Sequence, residues 1–193
     1  GIAIAAVNYR LSPKAHYPAY INDAAAGAAW ILRHIEDYQG SPEKLFVSGH
    51  SAGGYLTAMI GVDPQYLAKY GASVHDFAGF MPVSGQMVTH STVRGERGIP
   101  STQPLIDEAA PCYHVRKDLP PFLNISGSVD LPSRAEENRY FATAMNAAGH
   151  AWAEYREFIG RDHGTIVSRI PQGNDPVAEI MLDFMRRVME KQP

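Results

Sequence analysis

The chain has 193 residues, a length that suits one domain, residues 1–193, with a sizeable core. Hydrophobic residues make up 45% and charged residues 19%, and the net charge of -3 comes without any basic run that would suit nucleic acid. No apolar stretch is long enough to span a membrane, and the single cysteine, Cys112, excludes an intramolecular disulfide framework and a Cys-rich metal site.

Ile2–Val7 is a continuously apolar run ending in Asn8-Tyr9-Arg10, the pattern of a strand buried on both faces in a parallel sheet. No basic n-region or small-residue cleavage site follows Gly1, so no signal peptide is visible and a cytoplasmic setting is the expectation. Leu11 to Tyr17 reads as a loop. From Ala19 to Tyr38 the residues Ile21, Ala24, Ala28, Ile31 and Ile35 recur at spacings of three and four, which predicts one buried helix face ended by Gly40-Ser41-Pro42. Leu45, Phe46 and Val47 begin a short strand, Gly49-His-Ser-Ala-Gly53 makes a tight turn, and a small-residue helix follows.

Phe77 to Val83 is the next predicted strand, closed by Ser84-Gly85. Residues 86–112 carry no period, so they read either as an irregular insertion covering an active site or as a plain surface loop. Pro120 to Ser126 is a strand introduced by prolines and left through Gly127-Ser-Val-Asp130. Ser133-Arg-Ala-Glu136 has the form of a capping box opening a helix that buries Phe141, Ala144, Met145 and Ala148. Trp152 to Ile159 is a further strand, followed by the loop Gly160-Arg-Asp-His-Gly164. Asp175-Pro176 starts a last helix with Val177, Ile180, Met181, Phe184 and Val188 inward. Strands alternating with amphipathic helices predict an α/β fold with a mainly parallel sheet and helices on both faces.

Strand, Gly-x-Ser-x-Gly turn, helix is the setting of a nucleophile elbow, with Ser51 strained and raised at a helix N-terminus. The two motif glycines, Gly49 and Gly53, are expected to let strand and helix approach. A serine nucleophile needs a base to take its proton and a carboxylate to orient that base. Asp130 and His163 each lie in a loop just past a predicted strand, in the order Ser, Asp, His along the chain. Asp162 adjoins His163 too closely to reach its Nδ1 readily, Asp118 precedes its strand, and Asp63 and Asp76 flank connections. His16, His34, His75, His90, His114 and His150 have no such placement, and His50 is expected to support the elbow from beneath. No His-Glu-x-x-His or other ligand spacing occurs, so neither a metal nor any other cofactor is expected.

On Val7-Asn-Tyr-Arg-Leu-Ser-Pro13, Gly49-His-Ser-Ala-Gly-Gly54, Pro120-Pro-Phe-Leu123, Gly127-Ser-Val-Asp130 and Asp162-His-Gly164, the chain resembles the α/β-hydrolase superfamily. The likeness is to its carboxylesterase/lipase branch, near the hormone-sensitive-lipase-like and acyl-aminoacyl-peptidase-like enzymes. The resemblance implies Ser51 as nucleophile, Asp130 as acid and His163 as base, with the Ala52 backbone N–H in the oxyanion hole. It also implies an earlier strand ending in a His-Gly-Gly-Gly loop, seated between the Asn-Tyr-Arg strand and the elbow strand and supplying a second oxyanion donor. No such motif occurs in residues 1–193. The fold is therefore expected to be N-terminally incomplete, or else rearranged into a minimal sheet.

The expected activity is hydrolysis of small-molecule carboxylic esters through an acyl-enzyme on Ser51, slow in this chain alone for want of that second donor. The same three residues would serve an arylformamidase-type amide hydrolase or a deacetylase of acetylated sugars or xylan. A non-catalytic hydrolase-fold module is the reading from another class. Oligomeric state leaves no mark on the sequence.

Overall fold

The computed structural model describes residues 1–191. Four strands, β1 (Phe46–His50), β2 (Gly79–Val83), β3 (Phe122–Gly127) and β4 (Ala153–Phe158), form one sheet in the order β1-β2-β3-β4. All three pairings are parallel, with His50 opposite Val83, Val83 opposite Ile125 and Gly127 opposite Phe158. The four strands therefore end along one edge, and every loop leaving a strand opens there. Parallel neighbours require crossovers, which the intervening helical segments provide, the short α3 (Pro64–Ala68) among them, and a further short helix, α6 (Thr165–Ser168), follows β4.

β2 and β3 are buried along their whole length, as the central strands of a covered parallel sheet must be. Phe80 and Phe122 face helices α1 (Ala19–His34), α2 (Ala52–Val62) and α5 (Arg134–Ala147), with Ile21, Met59 and Phe141 among their buried neighbours. Met81, Leu123 and Ile125 alternate onto the opposite face, against Val177, Phe184 and Val188 of α7 (Pro176–Lys191). Asp175 starts α7 as expected, accepting the Val177 N–H at 2.9 Å, while its other oxygen pairs with buried Arg161. No helix among the described residues is long and apolar enough to cross a membrane.

The predicted strand Ile2–Val7 does not form. Residues 1–11 are irregular, and Ile2 and Ile4 are 58% and 92% exposed. β1 is the outermost strand on that side, and an open groove of about 380 Å³, lined by Ile4, Val7, Ala28, Ile31, Val47 and Leu56 among others, separates it from the N-terminal segment. Paired strands lie about 4.8 Å apart, so residues 2–7 have no ladder to join across this groove. Their position is fixed from the side instead. Arg10 bonds Asp23 of α1 through its backbone N–H at 2.9 Å and its guanidinium at 2.8 and 2.7 Å.

Residues 86–112 are irregular apart from a short helix, α4 (Ser91–Glu96), and the start of a turn at Pro111, and Met87, Val93, Ala109 and Ala110 are buried. Thr89 donates to Asp107 at 2.8 Å and the Arg97 guanidinium reaches Asp107 at 2.6 Å, so polar contacts give the segment its shape where periodicity does not. The expected capping box at Ser133 does not form. Ser133 sits at φ 64° and its side chain caps nothing, and Ala148 at the far end of α5 is exposed.

Candidate active site

Ser51 joins β1 to α2 with φ 58° and ψ −116°, a left-handed conformation that a non-glycine residue holds only when its surroundings force it. Its N–H donates to Val83 O at 2.9 Å and its carbonyl accepts the Tyr55 N–H at 3.0 Å. A Cβ on Gly49 would stand 2.5 Å from Gly53 O, and one on Gly54 would stand 2.6 Å from Val83 O. A Cβ on Gly53 would meet nothing within 4 Å. The close approach thus depends on Gly49 and Gly54, which corrects the expectation that both motif glycines, Gly49 and Gly53, are needed for it.

The three residues singled out in the sequence meet here. Ser51 Oγ lies 2.8 Å from His163 Nε2, and His163 Nδ1 lies 2.7 Å from Asp130 Oδ1. With Nδ1–H donating to the carboxylate, Nε2 is left to accept the serine proton. The Asp130 side chain is 1% exposed and that of His163 23%. Ala52 is the first residue of α2, so its N–H has no intrahelical acceptor and sits at the positive end of the helix.

Several supporting residues were not singled out in the sequence. Ser84, fully buried at the end of β2, donates from Oγ to Asp130 Oδ2 at 2.5 Å. Asp130 Oδ1 also accepts the Leu131 N–H at 2.7 Å. Ser84 has φ 50°, and its carbonyl accepts from the buried guanidinium of Arg134 at 2.8 Å. Asn138, one turn along α5, donates to Gly85 O at 2.8 Å. Ser84-Gly85 closing a strand on the same edge was the one available hint.

His50 reaches the loop that carries His163, where the expectation had it supporting the elbow from beneath. Its Nε2–H donates to the backbone carbonyl of His163 at 2.7 Å, and the two rings stand 4.6 Å apart. Burial, then the neighbouring His163, hold the His50 imidazole below its ordinary pKa. Asp162 is engaged elsewhere: its Oδ1 accepts the N–H groups of Gly164 and Thr165 at 2.9 and 2.7 Å and fixes the loop carrying His163. Those bonds, chiefly from Thr165, hold its carboxyl below the usual range.

The other histidines stand apart from the relay. His16, His34 and His75 lie beside Glu96, Asp37 and Asp118 at 3.8, 3.3 and 3.5 Å, and His114 beside Asp63 at 3.5 Å. His150 is buried against the carbonyls of Leu119 and Pro120. His90 lines a cleft of about 210 Å³ that reaches Ala52. Burial pushes the Cys112 thiol up to about 12, so it stays protonated at neutral pH.

A sequence profile of the BD-FAE family matches residues 1–145, three quarters of the chain. The chain belongs to the BD-FAE family. Esterase LipQ of Mycobacterium tuberculosis is 28% identical over 207 residues, which cover 93% of this chain and 46% of LipQ. Esterase LipC of the same organism is 29% identical over 176 residues, covering 82% of this chain and 44% of LipC. The chain thus spans about half the length of these curated relatives. Among solved structures, a truncated carbohydrate esterase from gut microbiota is similar with a TM-score of 0.75 at 20% identity, over 95% of this chain and 73% of its own. Thermogutta terrifontis esterase 2, phosphoramylated by tabun, is similar with a TM-score of 0.71 at 22% identity, over 95% and 69%. These likenesses give the BD-FAE chain an α/β-hydrolase fold. The profile match takes in Ser51 and Asp130 and stops short of His163, whose place beside them rests on the hydrogen-bond geometry.

Proposed function

We propose that the chain is a serine hydrolase of small-molecule carboxylic esters, with Ser51, His163 and Asp130 as its catalytic triad. The observation that carries this reading is the unbroken line of hydrogen bonds from strained Ser51 through His163 to Asp130. The names of the relatives that match 82–93% of the chain, LipQ, LipC and a probable carboxylic ester hydrolase, favour ester over amide.

In this mechanism Ser51 Oγ attacks the ester carbonyl carbon while its proton passes to His163 Nε2. The imidazolium so formed is held by the Asp130 carboxylate. The carbonyl oxygen becomes an oxyanion facing the Ala52 N–H. Collapse breaks the bond to the alcohol oxygen, which leaves with the proton from His163. Water, deprotonated by His163, then attacks the acyl-Ser51 ester, and the carboxylic acid departs as Ser51 recovers its proton.

Ala52 supplies one oxyanion donor. The loss of such a donor costs roughly 3 kcal/mol of transition-state stabilisation, so a chain working with Ala52 alone would be slow. The test is hydrolysis of p-nitrophenyl acetate and octanoate by the longest natural form of the protein carrying this chain. Ser51→Ala is expected to lower kcat by at least about 10³-fold. Turnover that persists in Ser51→Ala would refute the assignment.

A further inference from the structure

β2 ends where two parts of the relay are held at once. The Val83 carbonyl accepts the Ser51 N–H at 2.9 Å, and the next residue, Ser84, donates from Oγ to Asp130 Oδ2 at 2.5 Å. One strand end thus touches the backbone of Ser51 and the side chain of Asp130, which lie on different loops.

Asp130 has little else to hold its second oxygen. Its side chain is 1% exposed, so bulk water does not serve it. Oδ1 is engaged twice, by His163 Nδ1 and by the Leu131 N–H, each at 2.7 Å. Among the described residues Oδ2 has one close donor, Ser84 Oγ. The Gly127 N–H stands off at 3.5 Å, at the long limit of a hydrogen bond. The torsion that turns a carboxylate about its Cβ–Cγ bond is soft, and a buried carboxylate oxygen without a donor is costly. With both oxygens tied, the carboxylate plane is fixed and Oδ1 stays aimed at His163.

Ser84 is itself held under strain. It is fully buried at φ 50°, in the left-handed region that favours glycine. Its N–H donates to Ile125 O at 2.7 Å and its carbonyl accepts from Arg134 at 2.8 Å, while Asn138 donates to Gly85 O at 2.8 Å. β3 and α5 therefore force the conformation. Among the described residues, Oγ bonds only to Asp130. Backbone strain that the surroundings over-determine gathers at functional sites, and here it aims one hydroxyl at one carboxylate oxygen.

We propose that Ser84 is a positioning residue for the hydrolysis, its hydroxyl anchoring Asp130 so that His163 stays aligned with Ser51 through both proton transfers. The role rests on the Ser51 hydrolase reading and adds a fourth residue to its relay. Ser84 bonds to the far oxygen of Asp130 and to none of the reacting atoms, so its effect falls on the chemical step and leaves substrate binding alone.

The experiment measures p-nitrophenyl acetate hydrolysis and the rate of fluorophosphonate labelling in the longest natural form of the protein. Ser84→Ala keeps a Cβ in the left-handed region and loses the hydroxyl. Ser84→Gly loses the same hydroxyl and removes the strain, so the two variants differ in the backbone and share the lost bond. Both are expected to lower kcat by at least about tenfold, the scale of one hydrogen bond to a charged group, with KM within about twofold of wild type. Combined with Asp130→Ala, Ser84→Ala should slow labelling by less than about twofold further, because the group it acts through is gone. Three results overturn the positioning role and leave the hydrolase reading standing. They are wild-type kcat in both Ser84 variants, a loss in Ser84→Ala that Ser84→Gly escapes, and a further loss of about tenfold on top of Asp130→Ala. Labelling and turnover that persist in Ser51→Ala overturn the hydrolase reading itself, and the role of Ser84 with it.

Discussion

Ser51 holds a left-handed backbone between a strand end and a helix start, and its neighbours decide whether that conformation is productive. His50 is the clearest of them, since its one strong polar contact is with the carbonyl of His163. His50→Phe keeps a ring in place but removes this donor. Steady-state kinetics should show kcat lowered about tenfold, roughly 1.4 kcal/mol, with KM and melting temperature little changed. His50→Gln, which can still donate, should recover part of the loss.

His90 allows a pH prediction. Its folded pKa lies near 4 against an ordinary 6.5, so between these values the unfolded chain binds the extra proton. The stability that neutral His90 allows is present above pH 6.5 and is lost as pH falls to about 4, by up to roughly 3 kcal/mol. His90→Gln should flatten that part of the melting-temperature profile, and an unchanged acid slope in the variant would count against it. Ser51, Asp130 and His163 were legible because each follows a strand, so local pattern reports their common edge. Ser84 and Arg134 were not, because Ser84 meets Asp130, and Arg134 meets Ser84, only through the packing of β2 against β3 and α5.

In the elbow, two glycines are under steric pressure and a third is free. Gly49→Ala and Gly54→Ala each push a Cβ to within 2.6 Å of backbone, which should cost about 2 kcal/mol or more in urea denaturation. Gly53→Ala meets open space inside a helix and should fall within about 1 kcal/mol of wild type, on the stabilising side. The reverse order would contradict the elbow geometry. The helices and the strands from Phe46 onwards were readable because period and turn residues agree in each. Ile2–Val7 misled because an apolar run records strand propensity and says nothing of whether a partner strand lies beside it. Ser133-Arg-Ala-Glu136 misled because the turn after Asp130 puts Ser133 in the left-handed region, where its side chain makes no capping bond. Residues 86–112 hid their order because Thr89, Arg94, Arg97 and Asp107 organise them by polar contacts between residues 7 to 18 positions apart.

Taken whole, the molecule has Ser51, His163 and Asp130 hydrogen-bonded in line on one edge of its sheet and an open flank along β1. That flank presents unpaired backbone and an apolar groove, the kind of edge that associates with other chains. The isolated chain should therefore self-associate with rising concentration in sedimentation velocity, and Ile31→Lys, on the groove wall, should weaken the association. A chain that stays monomeric throughout would show the flank to be inert. Its relatives extend to about twice its length, so the catalytic claim is best tested in the longest natural protein that contains it. The most direct measurement is labelling with a fluorophosphonate probe, read by peptide mass spectrometry. The account predicts one modified residue, Ser51, with labelling abolished in Ser51→Ala and strongly slowed in His163→Ala. No labelling, or labelling that survives Ser51→Ala, would contradict it.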